Sequence, residues 1–320
     1  MAKHSLFSRL KQIFHKRRDS KKGFTLIELL VVVAIAGGIL SGLTYIVVEL
    51  MGADQREASR SETQRDMQSA MNYISAELQQ AVFVYTGNYM TQLANYLPTS
   101  LTTNSTPVLA FWKYKPLPDS IKTSCAAAAT NASAVPPAGV PCMAGQSYAL
   151  VVYSLSTANQ GNPWVGKSRI TRYELSQFTS TGTAVSGYVS PTEVDNFDNW
   201  PMKQNASLQT ARPTGSPDVL VDFVDNTANG GSCPANDSVR SYTVSPPTPQ
   251  GFYACISTST ATNQQTTGAY QDVVLYVQGN ASGKYGIRIP ANQRTNSELL
   301  PALETRVLLR GVLWRTPEGS

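Results

Sequence analysis

Leu29 to Val48 is a run of twenty residues, LLVVVAIAGGILSGLTYIVV, without one charge. At ~1.5 Å rise per residue a helix of that length spans ~30 Å, the thickness of a bilayer's hydrocarbon core. A cleaved secretory signal has a shorter apolar stretch, about 7–15 residues, and its cleavage site follows that stretch. The run here is expected to stay with the mature chain as a single pass of the inner (plasma) membrane. Eight basic residues precede it (Lys3, Arg9, Lys11, Lys16, Arg17, Arg18, Lys21 and Lys22), against Asp19 alone. Basic flanks stay on the cytoplasmic side. The N-terminus is therefore cytoplasmic, and the C-terminal part crosses to the periplasmic or extracellular side.

One carboxylate, Glu28, stands inside apolar sequence just before the run. An acid in hydrocarbon is costly and marks a functional position. Left unpaired and buried it costs about 3–5 kcal/mol. Five residues upstream, Gly23 ends the basic stretch; a residue without Cβ lets a protease approach the backbone closely. The whole segment Lys21-Lys22-Gly23-Phe24-Thr25-Leu26-Ile27-Glu28-Leu29-Leu30 resembles the N-terminus of type IV prepilins and of secretion-system pseudopilins. The resemblance implies that a prepilin peptidase cuts after Gly23 and that the new N-terminal residue, Phe24, is methylated. It implies that Glu28 pairs with the N-terminal amine of a neighbouring subunit and so sets register in a fibre. The implied partners are that peptidase and methylase, other pilin or pseudopilin subunits, and an inner-membrane assembly platform with a separate ATPase. Polysaccharide is a further partner, and nucleic acid is not one.

Removal of a leader of residues 1–23 changes the charge of the chain. The whole chain is +5. The leader holds eight of the 26 basic residues and one of the 21 acids, so the mature side chains carry 18 against 20, a net of −2. The basic character belongs to the leader and gives no reason to expect a nucleic-acid surface on the exported part. His4 and His15 are the only histidines, and both lie in the leader. That removes Ser-His-Asp and Cys-His nucleophilic sites and His-ligated metals from the mature chain. No phosphate-binding glycine loop is present. The expectation is a non-catalytic protein with no cofactor and no metal. Asp195-Asn196-Phe197-Asp198-Asn199 offers oxygen ligands, and some pseudopilins bind calcium, but the spacing of an EF-hand is missing. An Asn/Asp-rich turn is expected there.

The helix is expected to continue past the membrane. Gly52 to Val84 holds no proline, and Met67, Ala70, Met71, Ile74, Leu78, Ala81 and Val82 fall at spacings of three and four. That is one stripe on a helix, expected to dock on the chain's own globular part. Phe24 to Val82 then forms one long helix. Gly37, Gly38 and Gly42 lie in its apolar half, where glycines allow close helix contact or local unwinding. Many pilins have a helix-bending proline about twenty residues into the mature chain; Tyr45 stands near that place here.

Beyond the helix, short β-type runs appear at Val108–Trp112, Tyr148–Leu155, Arg169–Leu175, Val219–Val224, Phe252–Ser257, Asp272–Val277, Tyr285–Ile289 and Arg306–Trp314. Tyr148–Leu155 is almost continuously apolar, as in a strand buried on both faces. Arg169–Leu175 alternates, as in a half-exposed one. The expected fold is α+β, a type IV pilin-like long helix packed on an enlarged, mostly antiparallel sheet. The parts are a cleaved leader (1–23), a transmembrane and assembly helix (24–52), an amphipathic helix (53–84) and a β-rich extracytoplasmic domain (85–320). Two insertions stand out, Ser124–Gly145 and Asn226–Gly251, both read as loops. Cys125 and Cys142 bracket one; Cys233 and Cys255 bracket most of the other. In an exported chain four cysteines suggest two disulfides. Nearest-neighbour pairing closes each loop and is preferred over the two other connectivities. Trp112, Trp164, Trp200 and Trp314 are expected as packing anchors, with sugar stacking as the alternative use of such rings.

Four further blocks, Ser105-Thr-Pro-Val-Leu-Ala-Phe-Trp-Lys113, Asp218-Val-Leu-Val-Asp-Phe-Val-Asp225, Gly251-Phe-Tyr-Ala-Cys255 and Val274-Leu-Tyr-Val-Gln-Gly-Asn-Ala281, are similar to the cyanobacterial hormogonium polysaccharide secretion pseudopilins. That resemblance implies a type IV pilus-like apparatus that exports polysaccharide and supports gliding. The alternatives are a minor pilin of a true type IV pilus and a glycan-binding module on a pilin anchor.

Overall fold

The computed structural model describes residues 23–130, 139–158, 163–228, 230–238, 240–259, 271–284 and 300–309. It divides the chain into two units, Met1–Ala53 and Asp54–Ser320. Helix α1 covers Leu26–Leu78. All residues from 23 to 51 are exposed. In the second unit the expected stripe is buried: Met67, Ala70, Met71, Ile74 and Leu78 are each at most 3 % exposed. Burying a side chain such as Ile74 or Leu78 contributes about 1.5–3 kcal/mol.

The helix ends at Leu78, short of the expected Val82, and Ala81–Val84 is strand β1. Ala81 and Val82 match a helical stripe, but Ala-Val-Phe-Val is also a β-branched and aromatic run, and a run this short fits either period. Pairing decides it: β1 lies antiparallel to strand β2 (Ser105–Pro116), with Ala81 opposite Lys113 and Val84 opposite Phe111. The last turn tightens, Gln80 N–H donating to the Glu77 carbonyl at 3.0 Å.

Two antiparallel sheets follow. The first has the order β1-β2-β3-β4-β7, with β3 at Gln146–Ser156, β4 at Ser168–Ser176 and β7 at Asp218–Val224. The second has the order β11-β10-β9-β8, with β8 at Arg240–Ser245, β9 at Phe252–Ser259, β10 at Asp272–Gln278 and β11 at Ala302–Leu308. Between strands of the first sheet lie helices α2 (Gly87–Leu93, between β1 and β2) and α3 (Asp119–Thr130, between β2 and β3) and a small hairpin of β5 (Met202–Lys203) and β6 (Ala206–Ser207), between β4 and β7. The architecture is α+β as expected. The expected strand at Tyr285–Ile289 lies outside the described residues, as do residues 310–314 of the last one.

The first sheet is covered on both faces, which explains the nearly unbroken apolar run of β3. Side chains alternate across a strand. Lys113 and Tyr153 point at α1, where both reach Glu77. Trp112, on the opposite face, packs edge-on to Trp200 at 5.5 Å. The two sheets are tied by a bridge between Val224 and Gly279 and by Ser245 Oγ donating to the Val108 carbonyl at 2.7 Å. A Cβ on Gly279 would lie 2.7 Å from Met67 Sδ and 2.9 Å from Thr63 Cγ2, so a side chain there would push side chains of α1 aside. The outer edge of β1 is sealed by the Gln271 side chain, which accepts from Val84 N–H and donates to the Val84 carbonyl, both at 3.3 Å. At Val84 one amide thus takes the place of a neighbouring strand.

Both disulfides form as preferred, Cys125–Cys142 and Cys233–Cys255. The insertions they close are not plain loops. The first contains the end of α3, and the second contains β8. Arg240-Ser-Tyr-Thr-Val-Ser does alternate, but its Ser and Thr residues hid the strand among turn-forming neighbours.

Candidate functional site: the N-terminal segment and the Glu77 seam

Gly23, Phe24 and Thr25 precede the helix and adopt no regular structure. The Gly23–Phe24 bond therefore lies in irregular backbone, and Phe24 is 78 % exposed. The helix begins at a side-chain cap: Thr25 Oγ1 accepts the Glu28 N–H at 3.3 Å, and the Thr25 carbonyl accepts the Leu29 N–H at 3.2 Å. Such a cap typically stabilises a helix end by ~1 kcal/mol. Thr25-Leu26-Ile27-Glu28 has the spacing of a capping box, a signal available in the sequence that the reading above did not use.

Glu28 is exposed on the first turn, and the helix behind it contains a stretch long and apolar enough to cross a membrane. Within that stretch the hydroxyls satisfy themselves, Ser41 Oγ donating to the Gly37 carbonyl at 2.7 Å and Thr44 Oγ1 to the Leu40 carbonyl at 2.8 Å. A Cβ at Gly37, Gly38 or Gly42 would meet nothing within 4 Å. No packing among the described residues requires these glycines. The helix also passes Tyr45 without a break.

A second carboxylate on the same helix has the opposite environment. Glu77 lies on the last turn, with its side chain 7 % exposed. Three strands converge on it. Lys113 of β2 donates to Oε1 at 2.7 Å, Tyr153 of β3 donates to Oε2, and Arg172 of β4 donates Nε to Oε2 at 3.0 Å and Nη2 to Oε1 at 2.5 Å. Glu174 joins from β4, bonded to Arg172 and, at 2.5 Å, to Lys115. Burial alone would raise the Glu77 pKa; the bonds from Arg172, Lys113 and Tyr153 outweigh it and hold the carboxyl down at about 2. Glu174 is likewise lowered, burial being outweighed by Lys115 and Arg172. Burial and the Glu77 carboxylate push the Tyr153 phenol up.

This seam corrects the reading of β4. The alternation of Arg169–Leu175 points to a half-exposed strand, yet Arg169 and Thr171 are buried and Arg172 and Glu174 are 17 % exposed at the side chain. The charged face turns to the helix because Glu77 supplies a counter-charge there. The sequence held a signal: Glu77 sits one residue from Leu78 and three from Ile74, on the buried side of the stripe. Its partners lie 36, 76 and 95 residues away, which no local pattern links.

Elsewhere, Asp195 Oδ2 accepts the Gln204 N–H at 2.9 Å and Asn196 Oδ1 accepts the Asn199 N–H at 3.0 Å, so these oxygens hold a turn. Trp112 and Trp200 are at most 2 % exposed, and their indole N–H groups are bonded to Tyr85 Oη and the Val189 carbonyl. Neither is a sugar platform. Trp164 is half-buried beneath the Arg169 guanidinium at 5.9 Å; Trp314 lies outside the described residues. A groove of about 430 Å³ between α1 and β7 is lined by Asp66, Tyr73 and Asp222, among others. Asp66 pairs with Lys284 at 3.6 Å, and Asp222 accepts the Gly166 N–H at 3.0 Å.

Residues 18–44 match the prokaryotic N-terminal methylation motif. The match spans Gly23, Phe24 and Glu28, and it supports a type IV pilin-like protein: a membrane-anchored subunit with a leader, an N-methylated mature end and a structural role. The motif implies processing by a prepilin peptidase and assembly with other pilin subunits. No curated protein and no solved structure matches the chain.

Proposed function

We propose that this chain is a non-catalytic pseudopilin of a type IV pilus-like or type II secretion-like apparatus, serving polysaccharide export and gliding motility. It enters the membrane with residues 1–23 in the cytoplasm, is cut after Gly23 and is methylated at Phe24. It is then drawn from the bilayer into a short fibre or its initiating complex. One observation carries the reading: the methylation motif opens a helix whose apolar residues, Leu26 to Met51, have no cover of their own. Such a surface needs lipid first and other subunits afterwards. Glu28 is acceptable in both settings only with a positive partner, and the freed amine of a neighbouring Phe24 is that partner. The mature chain has no nucleotide-binding motif, so the work of extraction comes from a separate ATPase. A bulky exported domain suits a minor component. Retention of Glu28 argues against a strict tip position, since tip-type pseudopilins often lack this acid.

A clean deletion strain tests the reading. Loss of exported polysaccharide with surface pili intact supports it. Loss of the pili themselves makes the chain a minor pilin of a true pilus. Unchanged export and unchanged pili overturn the assembly role.

A further inference from the structure

The Glu77 seam does more than stabilise the fold. Taking the reading above as given, the exported domain is moved through α1, so tension enters the second unit along that helix. The apolar stripe resists tension poorly. Met67, Ala70, Met71, Ile74 and Leu78 make contacts without direction, and a helix can ratchet by one turn, ~5.4 Å, past a packed surface. The covalent path is also weak, because α1 leads after two residues into β1, which has four residues, lies at the edge of its sheet and has an irregular register between Ala81 and Phe83. Lys284 pairs with Glu62 and Asp66, two exposed acids further back on α1, at 3.3 and 3.6 Å, and Glu77 fixes the axial position of the helix end. Its carboxylate is held by β2, β3 and β4 together, and Arg172 grips it with two nitrogens. A one-turn shift would leave a buried acid unpaired and leave Lys113 and Arg172 with Glu174 as their shared counter-charge.

We propose that this seam is a tension clamp: it transfers pulling force from α1 to three central strands before the force reaches the edge strand β1. The clamp differs from an ordinary stabilising contact in one respect. A buried ion cluster adds little net stability over apolar residues of similar size, but it is directional and short-ranged. Glu77→Leu, Lys113→Leu and Arg172→Leu, with Tyr153→Phe to remove the hydroxyl that Glu77 accepts from, together remove the clamp and leave Glu174 paired with Lys115, which stand 2.5 Å apart.

The test is single-molecule pulling of the full chain in lipid nanodiscs with two handle placements. One pair, at residues 53 and 320, loads α1. The other, at residues 143 and 320, bypasses it; Met143 is fully exposed. This fourfold variant is expected to melt no lower than wild type, yet to open at least about tenfold faster at the same force when α1 is loaded. With the second handles its opening rate should stay within about twofold of wild type. Glu77→Gln, which keeps the side-chain shape, should open faster under the first loading as well. Wild-type opening rates for both variants under α1 loading, or equal acceleration with both handle pairs, overturn the clamp. No arm of the experiment requires assembly, so its failure leaves the fibre role standing, and failure of the fibre role leaves the clamp measurable.

Discussion

At the residue scale, two of the acids on α1, one near each end, have opposite fates. Glu28 is exposed within the chain and needs an answer from outside, whereas Glu77 is answered by three strands. The consequence for Glu77 is a pH dependence of defined sign. Its folded pKa of about 2 lies below its ordinary value of 4.5. The native state therefore binds fewer protons than the unfolded one across that window. Stability from this group is complete above pH 4.5 and is lost as pH falls toward 2. The amount is on the order of 3 kcal/mol. Denaturant titrations at pH 6 and pH 3 should show the loss, and Glu77→Gln should flatten it while lowering stability at pH 6. For Glu28, the expectation is that Glu28→Ala is still cleaved after Gly23 but fails to assemble; full complementation of export by that variant would remove its register role. Glu28 was legible because a lone acid in apolar sequence is conspicuous. Glu77 was not, because an acid in a Gln- and Glu-rich helix looks solvated until its distant cations are placed.

At the element scale, α1 is one helix in two environments, and periodicity separated them. Its apolar half shows no stripe because it has no inside. Its second half shows the stripe that the sheet buries. The missed boundary at Leu78 and the missed orientation of β4 share one cause: local patterns report period and polarity, while pairing partners decide what a short run becomes. The three glycines make a test at this scale. Alanine in their place costs nothing within the chain, where no atom lies within 4 Å of the added Cβ. Gly37→Ala, Gly38→Ala and Gly42→Ala together should raise intrinsic helix stability by about 1 kcal/mol per site while impairing assembly, if neighbouring helices approach there. Circular dichroism of the processed protein reads the first effect, and sedimentable fibre the second. Unimpaired assembly would show that the glycines serve no close contact.

At the scale of the whole molecule, two antiparallel sheets, the second half of one long helix and two disulfides build a large α+β unit. The disulfides close loops with sequence separations of 17 and 22 residues. Removing one such bridge should cost about 3 kcal/mol. Cys125→Ser with Cys142→Ser is expected to lower the melting temperature without changing N-terminal processing, read by thermal unfolding beside intact mass. The fold class was legible from the membrane run, the stripe and the β-rich remainder. The second sheet's β8 and the burial of the charged face of β4 against α1 were not, since each depends on segments far apart in sequence. The account as a whole rests on the mature protein beginning at Phe24. Intact-mass and N-terminal peptide analysis of the protein purified from native membranes or fibres measures this directly. The account predicts a chain lacking its first 23 residues, with a single methyl on the Phe24 amine. A native protein that retains the leader, leaving no free Phe24 amine to meet Glu28, would contradict it.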